Sequence, residues 1–468
     1  MFKTVSALVP QDRDLPLRAW TLDVLTRFLD GTIYDGFHFE FHQERSASGE
    51  YVPIAQRSPS VRSGLLRTVV NDSVSFLFSA GRFPLLDCAD DAQAEATLSA
   101  ILKDCQLNAL MLEAATRGSV GSVVIWVRVL GNRLFFEALP TTYLTPIFEP
   151  DVPDTLREVR EQYKVKGAAL RAQGYAIAED DAQEDFWFCR TWDATSETWY
   201  LPDPVGGNGT RQIDAARTTR HNLGFVPMIW VRNLPGGEGV DGACTFAPAI
   251  ETVLEIDYQL SQAGRGLKYA SAPTLMIKDA APLPLNRQHI VGDALIVPPE
   301  GDAKLLEIQG TAAQAVIDYT RELRKLALES IGGSRADSDK IAVASSGRAM
   351  EMMNQSLIWL ADKLRVSYGE GALLKLLKMV ARISNKIALV DSEGAPITPI
   401  PQATKVTLKW PKWYAPTPTD RLADANALTT LMGGRLISRD SAVNALAADY
   451  DIEDVAAELA RIGGEPGG

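Results

Sequence analysis

From residue 347 to about 386 the sequence carries one long helical pattern. Met353, Leu357, Leu360, Leu364, Leu374 and Leu377 form its apolar face. Gly369 and Gly371 interrupt the pattern and predict a kink, because glycine weakens a helix interior. Upstream, Thr311 starts a second helix. Ala312, Val316, Tyr319, Leu323 and Leu326 make its expected inner stripe, and Asp318, Arg321, Glu322, Arg324 and Lys325 face away. Between the two helices lies IGGSRADSDKIAVASSG, residues 331–347. Connections that only turn a corner take a few residues, so a polar stretch of this length can reach outward. Gly332 and Gly333 suit a left-handed helix end, and Ser345 or Ser346 suits an N-cap.

The first half reads as α+β. A helix is expected to start at Asp14, with Pro16 in its first turn, and to close near Gly31. YDGFHFEFHQE alternates, with Phe37, Phe39 and Phe41 on one face and His38, Glu40 and His42 on the other, as in a half-buried strand. Helices are expected from Pro59 to Gly81, carrying Val61, Leu65, Val69 and Leu77, and over residues 92–117. SVVIWVRV and RLFFEALP flank Leu130-Gly131-Asn132 as a β-hairpin. EQYKV, DFWFCRTW, TWYLP and VPMIWVRN continue an antiparallel meander, and GGEGVDG reads as a flexible link.

Pro248 begins a helix that runs to about Ala270, acidic early (Glu251, Glu255, Asp257) and basic late (Arg265, Lys268), as the helix dipole favours. Residues 271–310 form a proline-rich insert with short apolar runs, read as a small module containing strands. Past the long helix, KVTLKW is a strand. The terminal helices are capped at Thr417 with Asp420, at Ser438 and at Asp451, and the tail GGEPGG is expected to fray.

Chemistry is harder to find. No GxxxxGK[ST], GxSxG or HExxH motif occurs. Cys88, Cys105, Cys189 and Cys244 match no zinc spacing and read as reduced thiols. His38-Glu40-His42 shares a strand face that could hold zinc, but the set lacks a fourth ligand and reads as solvated. Asp180-Asp181 and Glu184-Asp185 read as a solvated loop, and Trp187, Trp192, Trp199, Trp230, Trp410 and Trp413 as core. The net charge of -12 disfavours a simple high-affinity DNA binder. No apolar run is long enough to cross a bilayer, and the start lacks a signal-peptide core, so assembly in the cytoplasm is expected. Neither enzyme activity, cofactor nor metal is expected.

HNLGFVPMIWVRN followed by ETVLEIDYQLSQAGRGLKYASAPTLMI, TAAQAVIDYTRELRKLALESI, SGRAMEMMNQSLIWLADKLR and GGRLISRDSAVNAL, taken in this order, resemble the portal (head–tail connector) proteins of tailed bacteriophages. VRSGLLRTVVNDSVSFLFSAG and LEAATRGSVGSVVIWV in the first half are similar to the portal wing. The resemblance rests on element order and implies an α+β ring subunit. Its parts would be a wing (1–247), a stem helix (248–271), a clip (272–310), a second stem helix (311–331), a tunnel loop (332–346), a long kinked wing helix with returning strands (347–416) and a helical crown (417–468).

By this resemblance the protein would form a homo-oligomeric ring, a dodecamer, at one capsid vertex of the virion. Double-stranded DNA would pass through it during packaging and ejection. The terminase large subunit, a head-completion adaptor, and scaffold and major capsid proteins would be its partners. Arg335, Asp337, Asp339, Lys340 and Arg348 would line the channel. Leu283, Arg287, His289, Ile296 and Pro298 would dock partners on the clip. The alternative is a DNA-processing enzyme whose site is assembled from residues distant in sequence.

Overall fold

The computed structural model describes residues 1–79, 81–89, 91–207, 211–270, 274–278, 302–306, 311–333, 347–414, 416–447, 452 and 455–464. The fold is mixed helix and sheet, of the α+β class. It divides into two compact units. One comprises Met1–Asn71, Ala114–Val127 and Glu137–Ile331, and the other Asp72–Glu113, Arg128–Phe136 and Gly332–Gly468.

Helix α1 spans Leu17–Asp30 and ends, as expected, at Gly31, whose φ of 73° makes a left-handed cap. It starts later than Asp14 because that carboxylate is engaged elsewhere, accepting from Lys164 at 2.6 Å, while Pro16 is extended. Along residues 37–42 the alternation of burial is as expected, but only Phe39–Glu40 pairs as strand. Helix α2, Leu65–Phe78, begins six residues past Pro59 and leaves Val61 outside, because Gly64 takes a φ of +61°. The expected helix over 92–117 is two helices, α3 (Ala92–Asp104) and α4 (Leu107–Gly118). Gln106, at φ +49°, breaks it.

Strand β1 is Leu85–Asp87. The hairpin β2 (Ser122–Leu130) and β3 (Arg133–Pro140) turns on Gly131 and Asn132, at φ 56° and 64°, the pairing that a tight two-residue turn requires. A second sheet holds β4 (Leu144–Phe148), β5 (Leu156–Lys166), β6 (Asp185–Trp192) and β7 (Ser196–Trp199), in which β5 pairs antiparallel with β4, β6 with β5 and β7 with β6. Strand β8, Met228–Arg232, pairs with β2. Val124, Trp126, Leu144, Val159, Trp192, Val226, Met228 and Trp230 close the core between these strands.

GGEGVDG is a built turn rather than a flexible link. Asp241 takes two bonds from the Arg18 guanidinium, at 2.6 and 2.7 Å, and Arg18 also donates to the Thr141 and Leu144 carbonyls. The buried Asn233 amide donates to Ala243 O and Thr245 Oγ1, both at 2.8 Å. Gly242 packs so close to residues 233–234 that a Cβ would lie 2.5 Å from the Asn233 nitrogen.

Helix α5, Ile250–Ala270, leads to β9 (Thr274–Lys278), which pairs antiparallel with β10 (Asp302–Leu306). Helix α6, Thr311–Ser330, packs against α5. It ends at Gly332, whose φ is +64°. The chain thus runs out along α5, turns through a strand pair and returns along α6.

The long helix of the other unit is composite: α7 (Gly347–Met353), α8 (Gln355–Leu364), a π-helical segment (Arg365–Leu373) and α9 (Leu374–Ser384). The interruption falls where the glycines predict a kink, but its form is a π segment, with Leu374 N–H bonded to Gly369 O. The buried ladder Leu364, Tyr368, Ala372, Leu376 and Val380 explains it. Steps of four residues drift by about 40° each in α geometry, and the wider π turn absorbs roughly one residue of that drift. Across this segment Arg365 stacks 3.3 Å from the Trp413 ring centroid and 4.7 Å from that of Trp410, and burial lowers its pKa to about 10. A Cβ on Gly369 would lie 2.6 Å from Trp410 Cζ2.

The return strand β11, Thr407–Lys409, pairs with β1. Helix α10, Pro418–Gly433, carries the capping box of Thr417 and Asp420. Helix α11, Arg439–Ala447, is capped by Ser438, which accepts from Ser441 N–H at 3.1 Å. Helix α12 spans Val455–Gly464. The expected cap Asp451 and most of the tail lie outside the described residues.

Candidate assembly surface

Helix α5 is fastened by polar groups on its buried side. Asp257, only 3 % exposed, accepts from Tyr34 Oη and from Ser63 N–H, both at 2.8 Å. Ser261 Oγ accepts from Val61 N–H at 2.9 Å, and Tyr258 Oη donates to Arg57 O at 2.8 Å. Burial raises the Asp257 pKa, because desolvation outweighs the two hydrogen bonds. A cleft of about 520 Å³ opens beside Tyr34 and Asp257. The cations in its wall, Arg62 and Arg67, already pair with Asp35 and Asp30 at 3.1 and 2.5 Å.

The inward face of α6 is Val316, Thr320, Leu323, Ala327 and then Ile331, all half-buried or buried. This rotates the expected stripe. Val316 and Leu323 turn inward, whereas Tyr319 and Leu326 stand 49 % and 56 % exposed. The hydroxyl of Thr320 satisfies itself by donating to Val316 O at 2.7 Å, so a threonine can occupy the inner face in their place.

Leu357, Ile358, Leu360, Ala361 and Leu364 are buried on α8. Met353, expected among them, is 40 % exposed. It precedes a local break at Asn354, where φ is -109° and ψ 20°. On the side away from Leu357 and Leu364 lie Met352, Trp359 and Val366, exposed by 67 %, 59 % and 59 %. They are spaced by seven residues, about two helical turns, and so line up along one edge. Sequence reading passed over them. Their signal was the second set of large apolar residues out of phase with Leu357, Leu360 and Leu364.

Of the five channel residues read from the sequence, Arg335, Asp337, Asp339 and Lys340 lie outside the described residues. Arg348 is in the first turn of α7, exposed, with its guanidinium 3.8 Å from Glu351. Leu283, Arg287, His289, Ile296 and Pro298 also lie outside the described residues.

His38, Glu40 and His42 are exposed, as are Asp180, Asp181 and Glu184. Among the described residues no group of three His, Cys, Asp or Glu is placed to hold a metal ion. All four cysteines are free. Burial pushes the Cys244 thiol up to about 12 and the Cys105 thiol to about 11, which makes both poor nucleophiles at neutral pH. Trp192 and Trp230 are buried in the core, while Trp410 and Trp413 are occupied by Arg365. Among the described residues no helix is long and apolar enough to cross a membrane.

No family model matches the sequence, and no curated protein matches it. Among solved structures, a chain from the neck of an empty GTA particle computed with C6 symmetry is similar over 81 % of this chain and 87 % of its own. The TM-score is 0.39 and the identity 8 %.

Proposed function

We propose that the chain is a portal subunit, a non-enzymatic component of a homo-oligomeric ring through which double-stranded DNA is packaged and ejected at one capsid vertex. The observation that carries this reading is the succession α5, strand pair, α6, residues 334–346, long helix, with large apolar side chains left exposed on the last two helical elements. Monomeric surfaces rarely align large apolar residues along ordered helices, whereas assembly surfaces do so routinely. In this reading α5 and α6 form the stem and residues 272–310 dock the terminase and head-completion proteins. Residues 332–346 face the channel, residues 417–468 form the crown, and the ring stands in the virion. The motor is a separate ATPase, in keeping with the missing phosphate loop.

An acidic conduit suits the task. Each phosphate contact adds affinity by releasing counterions, so a translocating duplex needs few and replaceable ones. The interleaved Asp337 and Asp339 hold the attraction of Arg335 and Lys340 in check. Changing both aspartates to lysine is expected to slow DNA packaging, more at low salt than at high salt. A packaging assay with substituted rings over a range of salt tests this. Unchanged packaging at every salt would remove residues 332–346 from the channel.

A further inference from the structure

We infer that the outward face of α9 is a second contact for duplex DNA, a row of bases that holds the phosphate backbone without reading its sequence. The inference takes its ligand from the proposed DNA conduit and rests on that reading, but it names a surface apart from residues 332–346.

Lys375, Lys378 and Arg382 are spaced three and four residues apart on α9, so they fall within about 60° of one another around the helix. Lys386 extends the row in the turn that closes the helix, where its N–H bonds to Ile383 O at 2.8 Å. All four are exposed. Leu376, Leu377, Val380, Ala381 and Ile383 are buried on the opposite side, so a fixed element carries the row. No Asp or Glu occurs from residue 371 to residue 390. Glu370, exposed, stands about one turn before Lys375 and bounds the row at that end. Asp391, past the other end, accepts from the N–H groups of Glu393 and Ala395 at 3.0 and 2.8 Å. Like charges three and four residues apart repel, so a solvated face in a chain with 59 acids and 47 bases would be relieved by interspersed acids. The helix dipole accounts for bases in the last turn, Arg382 and Lys386, but not for Lys375 and Lys378.

The face carries no apolar anchor. Among the described residues, no large apolar side chain from 367 to 421 is exposed. Contacts between proteins centre on such anchors and are depleted in lysine. Single strands are held by stacking on open aromatic rings, and Trp410 and Trp413 of the same unit are taken by Arg365. Duplex phosphates need neither feature, because lysine and arginine reach the backbone oxygens directly. Helix α9 is about 16 Å long, the rise of roughly five phosphates along one strand. The net charge of -12 does not cancel the row, since charges more than about 10 Å away are largely screened at 0.1 M salt. It keeps the binding weak, as a sliding duplex requires.

The test is the affinity of the full chain for a short labelled duplex over a range of salt. Lys375→Gln, Lys378→Gln and Arg382→Gln together should lower the affinity at low salt by about tenfold or more and flatten the salt dependence by about 2 to 3 in the log–log slope. A control with the same change in charge, Lys103→Gln, Arg435→Gln and Arg439→Gln, all at exposed positions, should stay close to the parent. Lys375→Arg with Lys378→Arg should keep the binding, since a phosphate contact needs only the charge. Circular dichroism should be unchanged throughout. An unchanged affinity and slope in the α9 variant, or an equal loss in the control, would overturn the row as a contact. Tighter binding of a single strand, or binding of polyglutamate in place of duplex, would overturn duplex DNA as its ligand. Micrographs of the same samples keep the two readings apart. Open rings without α9-dependent binding would overturn this inference alone, and α9-dependent binding by a chain that never forms rings would overturn the ring alone.

Discussion

Asp257 shows how single residues set the scaffold. It is a carboxylate buried against Tyr34 and Ser63, and burial raises its pKa above the usual 3.8. The native state therefore holds this proton more tightly than the unfolded chain does. The stability that Asp257 contributes is full below the unfolded pKa and is lost as pH rises through the raised folded value. Asp257→Asn should remove that component. The difference in melting temperature between parent and variant should shift in favour of the variant as pH rises across this window. A pH-independent difference would show that Asp257 does not titrate on unfolding. The residue was legible in the sequence only as an early acid on α5, suited to the helix dipole. Its partners lie 223 and 194 positions away, beyond the reach of any local pattern. The same holds for Asp241 and Arg18, 223 positions apart, which turn a glycine-rich stretch that reads as a linker into an ordered turn.

At the scale of elements, local chemistry was legible where it is self-contained. Gly131-Asn132 made its hairpin, Gly31 closed α1, and Thr417 with Asp420 made its capping box. The face of α6 was not legible, since two apolar stripes compete on it and packing against α5 decides between them. The break at Gln106 carries no glycine or proline to announce it. The π segment was half legible. Gly369 and Gly371 marked its place, but the four-residue ladder from Leu364 to Val380 carries its reason. That ladder makes a prediction about length. Deleting Gly371 should let the segment close as α-helix with the buried faces of α8 and α9 still in phase, at a cost of about 1–2 kcal/mol. Deleting Lys378 instead rotates the remainder of α9 by about 100° and turns Val380 and Ile383 out of the core, each worth about 1.5–3 kcal/mol. Urea unfolding of the two variants separates the cases. Equal destabilisation would mean that the π turn does not correct the helical phase.

For the whole molecule, the candidate channel and docking residues lie almost entirely outside the described residues, with Arg348 the exception. Sequence and structure meet instead on the helices that flank them. Helices α6 and α8 each bury one side in their own unit, and α6, α7 and α8 leave large apolar residues exposed on another. Those lines could not be told from core stripes by periodicity, because exposure depends on which face the rest of the chain covers. Their presence calls for a partner, and the partner proposed is further copies of the same chain, closed around an axis wide enough for duplex DNA. The most direct measurement is electron microscopy of the purified full-length protein over a range of concentration and salt. Closed rings with an open axial hole that admits a DNA duplex are the expected result. Monodisperse monomers under every condition, or rings too narrow for duplex DNA, would contradict it.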